Sequence, residues 1–301
     1  MQVFITGGTG FVGTALTRRL AREGHEVLVL TRSARGRSHE EKGVRLIEGD
    51  PTQAGAWQEA AGAADAVINL AGASIFTRWT SATKQQIVDS RILTTRRVVE
   101  ALATAAPKPR VLLSASAVGY YGARGEETVD ETAGPGQSFL ARLSQDWEAE
   151  ARAAEKSGVR VVLTRFGIVL GPGGGALDVM LPLYRLGLGG RLGSGRQGFS
   201  WIHLSDLAAA ALFCLNRADI SGPVNVTSPN PVSNAELSRA LGRVLRRPSF
   251  LPAPAFLVRL VLGEFGAELL AGQRVLPARL LAAGFTHEFP LIEPALAQIL
   301  A

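Results

Sequence analysis

The residues with the clearest chemical purpose stand at the start of the chain, Thr6-Gly7-Gly8-Thr9-Gly10-Phe11-Val12-Gly13. Three glycines at this spacing, between an apolar strand and the opening of a helix, suit the diphosphate of a dinucleotide. Gly7 permits the tight turn, Gly10 lets the backbone approach the pyrophosphate, and Gly13 lets helix and strand pack closely. The helix N-terminus adds free N–H groups and positive potential. The next apolar segment discriminates between dinucleotides. It ends Leu30-Thr31-Arg32, followed by Arg35 and Arg37, with no carboxylate among them. An acidic residue there would hold the ribose hydroxyls of NAD and repel a 2′-phosphate; a guanidinium binds that phosphate through paired charge-assisted bonds. The expected cofactor is NADP(H).

Asp50 closes a third apolar segment, where it either accepts from the adenine amino group or ties a turn or helix N-cap. Asn69-Leu70-Ala71-Gly72 closes a fourth, with small residues that let a dinucleotide cross close to the backbone. Other chemistry is poorly provided for. The single cysteine, Cys214, leaves no internal disulfide and no thiolate zinc site, and His25, His39, His203 and His287 lack ligand spacing. No metal is expected.

The elements that must position these groups are legible in the hydrophobic pattern. The 301 residues are 47% hydrophobic, enough to bury a sheet between helical layers. Continuous Val/Ile/Leu runs at 3–6, 26–31, 44–48, 66–70, 111–114 and 159–164 read as parallel strands buried on both faces. Helical patterns at 12–23, 81–105 and 138–156 lie between them. The alternation predicts an α/β fold, a doubly wound parallel sheet of the Rossmann, NAD(P)-binding type with right-handed crossovers. After Gly171 the glycine-rich stretches 171–175 and 187–198 interrupt the pattern. A helix at 204–216 and a strand at 224–227 return to the main sheet. The expected division is a nucleotide-binding domain of 1–170 plus 203–232 and a smaller, mostly helical C-terminal substrate lobe of 171–202 plus 233–301. The cleft lies at the carboxyl ends of the strands.

The net charge is +6, carried by arginines scattered singly and only four lysines, so no nucleic-acid-binding tail is expected. The apolar stretches 207–215 and 256–262 are too short for a membrane span or are broken by Arg259, and the N-terminus enters a strand without a signal-peptide pattern. A cytoplasmic protein whose partner is a small-molecule substrate is expected, with no nucleic acid and no membrane; the oligomeric state is left open.

With the glycine loop and Asn69–Gly72, further segments complete a family likeness: 78–91, Ser114-Ala115-Ser116-Ala117-Val118-Gly119-Tyr120-Tyr121-Gly122, 187–198, Trp201-Ile202-His203-Leu204-Ser205-Asp206-Leu207 and Gly272-Gln273-Arg274-Val275-Leu276-Pro277. Together they resemble the extended short-chain dehydrogenase/reductase superfamily, and within it the atypical branch called epimerase family proteins, similar to nucleoside-diphosphate-sugar epimerases. The resemblance implies that Gly7, Thr9, Gly10, Phe11, Val12 and Gly13 wrap the pyrophosphate and that Thr31 and Arg32 hold the 2′-phosphate. It implies that Leu70, Ala71 and Gly72 line the adenosine side and that Arg91 and Arg165 reach the cofactor. On sequence alone Arg91 equally suits a surface salt bridge.

That superfamily works with a Ser/Thr and a Tyr-x-x-x-Lys pair, in which the tyrosine moves a proton at the substrate oxygen and the lysine lowers its pKa. Here Arg124, Gly125 and Leu188 stand four residues beyond Tyr120, Tyr121 and Tyr184. In the stretch 138–148 that matches the Tyr–Lys helix, Phe139 or Leu140 takes the tyrosine position and Ser144 approximately the lysine position. The ordinary relay is absent. Ser116, placed after the fifth strand, and Tyr120 become the candidate catalytic groups. A phenol in this role needs a positive neighbour, for which Lys84 and Arg91 are candidates. A packed rim for Tyr120 and Tyr121, and a capping role for Ser116, are the alternatives. Arg185, Arg191 and Arg196, beside flexible glycines, either clamp an anionic or diphosphate-bearing substrate or stand on the exposed surface, and His203 is expected to hold loop structure. The resulting expectation is an NADP(H)-binding oxidoreductase or epimerase-like enzyme acting on a small polar, nucleotide-sugar-like substrate. The alternative is a non-catalytic NADP(H) sensor or interaction module.

Overall fold

A computed structural model describes residues 1–35 and 41–301. Arg37 and His39, named above, lie outside the described residues. The central sheet contains β1 (Gln2–Thr6), β2 (Glu26–Thr31), β3 (Val44–Glu48), β4 (Ala66–Asn69), β5 (Val111–Ala117), β6 (Arg160–Phe166) and β7 (Gly222–Val226). Their order is β7-β6-β5-β4-β1-β2-β3, and every pairing is parallel. From β1 the chain winds outward to β2 and β3, then returns to place β4 on the other side of β1. The β1/β4 boundary is therefore the topological switch point, where a crevice opens beyond the strand ends.

The strands read as unbroken apolar runs because both faces of the sheet are covered. On one face Val3, Ile5, Val27 and Ile68 pack with α1 (Phe11–Arg22) and α6 (Leu204–Asn216). On the other, Phe4, Leu28, Val67 and Leu112 pack with α2 (Trp57–Ala63), α3 (Ser81–Thr104) and α4 (Phe139–Arg152). A separate core joins Leu177, Leu181 and Tyr184 of α5 (Gly175–Arg185) to Leu237 and Leu241 of α7 (Asn234–Leu245) and Leu296 near the chain end. A reciprocal capping box between Ser233 and Glu236 starts α7.

Two strands run past the ends expected from sequence. β5 continues through Ala117 and β6 through Phe166, so Ser116 lies inside β5 rather than after it, directly opposite Arg165 in the sheet register. The polar residues that suggested strand ends are instead absorbed by the core: Thr164 Oγ1 donates to the Ser114 carbonyl at 3.2 Å, and Ser114 Oγ accepts from Asn69 at 3.3 Å. The last long helix, α8 (Ala255–Ala271), bends at Gly263, whose φ of 61° and ψ of −134° break the helical path. Its second half brings Phe265 against Trp79, with ring centroids 5.4 Å apart. A short parallel pairing of Thr128–Val129 with Arg274–Val275 fastens the C-terminal segment to the stretch after β5. Among the described residues no helix is long and apolar enough to cross a membrane.

Candidate functional site

At the switch point the loops after β1 and β4 touch. Gly7 takes φ +70°, and a Cβ there would stand 2.8 Å from Ala71 N and from the Leu70 carbonyl carbon. A side chain at Gly13 would collide with the Gly7 carbonyl oxygen and crowd Gly8. Gly10 donates its amide to Gly7 O at 3.0 Å and forms the N-cap of α1, which has neither a side-chain cap nor an acidic residue in its first turn. The leading amides of α1 are thus left for an anion. Thr9 and Gly10 are exposed beside them, while Phe11 and Val12 are half-buried. The Phe11 ring fills the space left by Gly171, Gly174 and Gly175, so the second glycine-rich stretch seats itself against the first.

A buried polar chain fixes the floor of this crevice. Thr6 Oγ1 donates to Asn69 Oδ1 at 2.6 Å, Asn69 Nδ2 donates to Thr95 Oγ1 at 2.8 Å, and Trp147 Nε1 donates to the same threonine at 2.9 Å. The Ala71 amide reaches Thr6 Oγ1 at 3.3 Å. With every member paired, the 70–72 backbone is held at one height above β4.

Arg91 stands against this backbone. A Cβ at Gly72 would lie 3.0 Å from its guanidinium carbon, which is also 5.2 Å from the Trp147 ring centroid. One Nη donates to the Ile87 carbonyl at 3.1 Å, and no carboxylate pairs with Arg91 among the described residues. Burial alone pulls its pKa down to about 10. The surface salt bridge is therefore not what the described residues hold; a half-buried cation without a carboxylate among them faces the crevice instead.

At the end of β2, Thr31 is buried with its hydroxyl donating to Ser33 O at 3.1 Å, while Arg32 and Arg35 are exposed. Asp50 Oδ1 accepts from Thr52 N at 2.9 Å and Thr52 Oγ1 at 2.7 Å, tying a turn. Those bonds, joined by the charge of Arg32, outweigh burial and hold its carboxyl below the usual range. Asp50 thus ties a turn through Oδ1.

A second polar cluster lies along β5 and β6. Ser116 Oγ donates to Glu148 Oε1 at 2.7 Å; Arg165 grips the same carboxylate through Nε at 2.7 Å and Nη2 at 2.8 Å, and donates from Nη1 to Tyr121 Oη at 3.0 Å. Tyr121 donates onward to Asn225 Oδ1 at 2.7 Å. Ser116 and Arg165 are each 2% exposed. The Tyr120 ring centroid sits 3.4 Å from the Arg165 guanidinium carbon. Burial works to lower the Arg165 pKa, but the bonds and charge of Glu148, aided by Tyr121, overcome it and raise the value. Burial pushes Tyr121 upward despite that cation, so it stays a neutral phenol.

The positive neighbour of both tyrosines is thus Arg165. Lys84 instead pairs with Glu264 at 2.8 Å, and Arg91 belongs to the crevice at Gly72. Arg165 itself has Nε, Nη1 and Nη2 all engaged by protein partners. Arg196 pairs with Glu126 and Arg191 bonds the Ser194 carbonyl. His203 accepts from Ser205 N at 3.2 Å and meets Gln298 at 2.9 Å; burial lowers its pKa, and it holds the start of α6 in place. Among the described residues no three His, Cys, Asp or Glu side chains cluster as metal ligands.

Two members of the second cluster escaped the sequence reading, Glu148 and Asn225. Glu148 falls on the helical face of Ala141, Ser144, Trp147 and Ala151, which is buried, and that spacing was the available signal. Asn225 interrupts an apolar strand, Val224-Asn225-Val226, where a polar residue needs a buried partner.

Comparison with known proteins adds to this geometry. Residues 3–227 match the NAD dependent epimerase/dehydratase family, and residues 253–299 match a domain of unknown function, DUF1731. The epimerase family protein YfhF of Bacillus subtilis is 41% identical over 302 residues, covering 100% of this chain and 98% of its own. The human epimerase family protein SDR39U1 (isoform 2), solved with NADPH, superposes with a TM-score of 0.87 at 36% identity over 99% of each chain. A nucleoside-diphosphate sugar epimerase from Corynebacterium glutamicum gives a TM-score of 0.80 at 34% identity, covering 100% of this chain and 58% of that one.

Proposed function

The chain belongs to the NAD dependent epimerase/dehydratase family, and from that premise we propose that it is an NADP(H)-dependent oxidoreductase or epimerase-like enzyme acting on a small polar, nucleotide-sugar-like substrate. The observation that carries the proposal is Arg91, a half-buried cation set against Gly72 with no acidic partner among the described residues. Keeping such a charge unpaired is unfavourable unless an anion completes it. The glycine cradle at Gly7 and Gly13 and the uncapped amides of α1 fit the same anion, a dinucleotide diphosphate. The NADPH in the human relative supports the choice of cofactor.

In this reading Gly7, Thr9, Gly10, Phe11, Val12 and Gly13 enclose the diphosphate and Arg91 neutralises it. Thr31 and Arg32 bind the 2′-phosphate, with Asp50 and Leu70-Ala71-Gly72 along the adenosine side. The nucleotide-binding domain is 1–170 plus 203–232, and 171–202 plus 233–301 form the substrate lobe. The cytoplasm is its compartment, in keeping with one unpaired thiol at Cys214. A bound nicotinamide supplies or accepts a hydride at ring carbon C4. The Ser116 proton points to Glu148, so Ser116 acts through that carboxylate, which holds the Arg165 guanidinium beneath Tyr120. Tyr120, whose hydroxyl makes no hydrogen bond among the described residues, is the group to exchange a proton with the substrate oxygen. The Arg165 cation beneath its ring fixes the orientation.

One observation favours a second reading, a non-catalytic NADP(H) sensor: Ser116 is nearly inaccessible and its hydroxyl is turned inward. Purified protein assayed for NADPH oxidation and for epimerisation against carbonyl compounds and nucleotide sugars separates the two. Turnover that Tyr120→Phe lowers by about 10²-fold or more, with NADPH affinity kept, supports the enzyme. Tight NADPH binding without turnover across the panel supports the sensor, and absence of binding overturns both.

A further inference from the structure

The first half of α8, residues 255–262, is apolar around its whole circumference except at Arg259, a pattern that ordinarily belongs to a helix enclosed on all sides. Here only Val258 is buried. Phe256 is 67% exposed and Leu260 73%, and Phe250, just ahead of the helix, is 76% exposed. The bend at Gly263 separates this stretch from the half of α8 that packs on Trp79. The segment leading into α8 hydrogen-bonds the segment leaving α5, Leu251 N to Gly189 O at 3.3 Å and Ala253 N to Arg191 O at 2.9 Å. Exposed Leu183 on α5 and Leu186, the residue that caps it, therefore belong to a neighbouring stretch of the same lobe. Exposed apolar surface on this scale marks a site of association.

Immediately before Phe250, the end of α7 and the turn after it line a shallow cleft with Arg239, Arg243, Arg246 and Arg247. Arg243 is paired with Glu293; the other three form no salt bridge among the described residues. Arginines free of salt bridges among the described residues, bordering exposed aromatic and aliphatic side chains, match a surface that is anionic at its edge and apolar just beneath. A second copy of the chain fits less well, because a two-fold contact sets the same patch against itself and brings the unpaired arginines together.

We propose that this face docks peripherally on an anionic lipid bilayer, with Phe250, Phe256 and Leu260 entering the acyl boundary and Arg239, Arg246 and Arg247 meeting the phosphate headgroups. The contact is a surface one, since α8 is not a spanning helix. It stands on observations separate from those that carry the NADP(H) site.

The test is flotation of the full chain with vesicles of phosphatidylcholine alone and of phosphatidylcholine mixed with phosphatidylglycerol. The chain is expected to float only with the anionic vesicles, and less as salt is raised. Arg246→Ala and Arg247→Ala each lower the partition coefficient about fivefold. Phe256→Ser combined with Leu260→Ser abolishes flotation, while all variants keep wild-type NADPH affinity as proof of folding. Failure to float with anionic vesicles, equal flotation with neutral ones, or flotation unchanged by these substitutions overturns the proposal. So does a dimer in light scattering that Phe256→Ser with Leu260→Ser converts to monomer, which assigns the face to a second copy.

Discussion

Arg165 and Glu148 meet through two parallel hydrogen bonds, Nε to Oε1 at 2.7 Å and Nη2 to Oε2 at 2.8 Å, with both side chains almost entirely out of water. The pair joins β6 to α4, the helix that matches the superfamily's Tyr–Lys helix. Removing the carboxylate strands a buried guanidinium and leaves the Ser116 hydroxyl without its acceptor. Glu148→Ala is expected to destabilise the protein by about 3–5 kcal/mol in urea denaturation. Replacing both partners by apolar residues of similar volume, Glu148→Leu with Arg165→Met, is expected to lose less than the single change. A single-variant loss within about 0.5 kcal/mol, the range of an ordinary surface substitution, would show the pair to be dispensable.

Arg91 gives the opposite sign. Its guanidinium is half-buried with no acidic partner among the described residues, and burial lowers its pKa, so Arg91→Ala relieves an unfavourable burial in the free protein. The melting temperature without ligand is expected to stay level or rise, while the Kd for NADPH increases about 10- to 100-fold, the worth of one charged hydrogen-bonded contact. A destabilised free protein with unchanged affinity would place Arg91 among the structural arginines.

At Gly13 the constraint is backbone against backbone. A methyl group there meets the Gly7 carbonyl, which has no side-chain freedom with which to yield. Gly13→Ala is expected to abolish detectable NADPH binding. Gly24→Ala, with open space around its Cβ but φ +82°, is the control that strains the backbone outside the crevice and keeps affinity. Equal affinity in Gly13→Ala and wild type would remove the glycine loop from the site.

His287 sets a pH limit on stability. Its Nε2 donates to Thr227 O at 2.9 Å, its Nδ1 is buried without a partner among the described residues, and burial depresses its pKa. The unfolded chain therefore takes up a proton near pH ~6.5, before the native state does. The stabilising contribution is complete above that pH and is lost as pH falls toward the lower native pKa, with a slope of up to about 1.4 kcal/mol per pH unit. Denaturation midpoints between pH 5 and 7 are expected to flatten in His287→Gln, with His203, depressed in the same direction, supplying the remainder. An unaltered slope in His287→Gln would contradict this assignment.

The glycine loop and the core strands could be read from sequence because their information is local: a turn, a helix start and runs of Val, Ile and Leu. The polar cluster could not, because its logic is non-local. The helical spacing of Glu148 places it on the inward face of α4, but its partner Arg165, 17 residues away on β6, is brought opposite it only by the sheet. Ser114 and Thr164 read as strand ends for a similar reason: the partners that satisfy their hydroxyl groups inside the core come from neighbouring strands. The cation near Tyr120 is likewise Arg165 rather than Lys84 or Arg91, because the β5–β6 register, invisible in sequence, sets it there. The missing Tyr–Lys pair was visible, since absence of a spacing is itself local; the ion pair standing in that region was not.

The central claim is that the crevice between β1 and β4 holds NADP(H), with a guanidinium choosing the 2′-phosphate. Calorimetric titration of the wild-type chain and of Arg32→Ala with NADPH and NADH tests it most directly. Wild type is expected to bind NADPH at least about tenfold more tightly than NADH, and Arg32→Ala to lose that preference through weaker NADPH binding alone. No heat with either nucleotide, or an equal loss for both in Arg32→Ala, would contradict it.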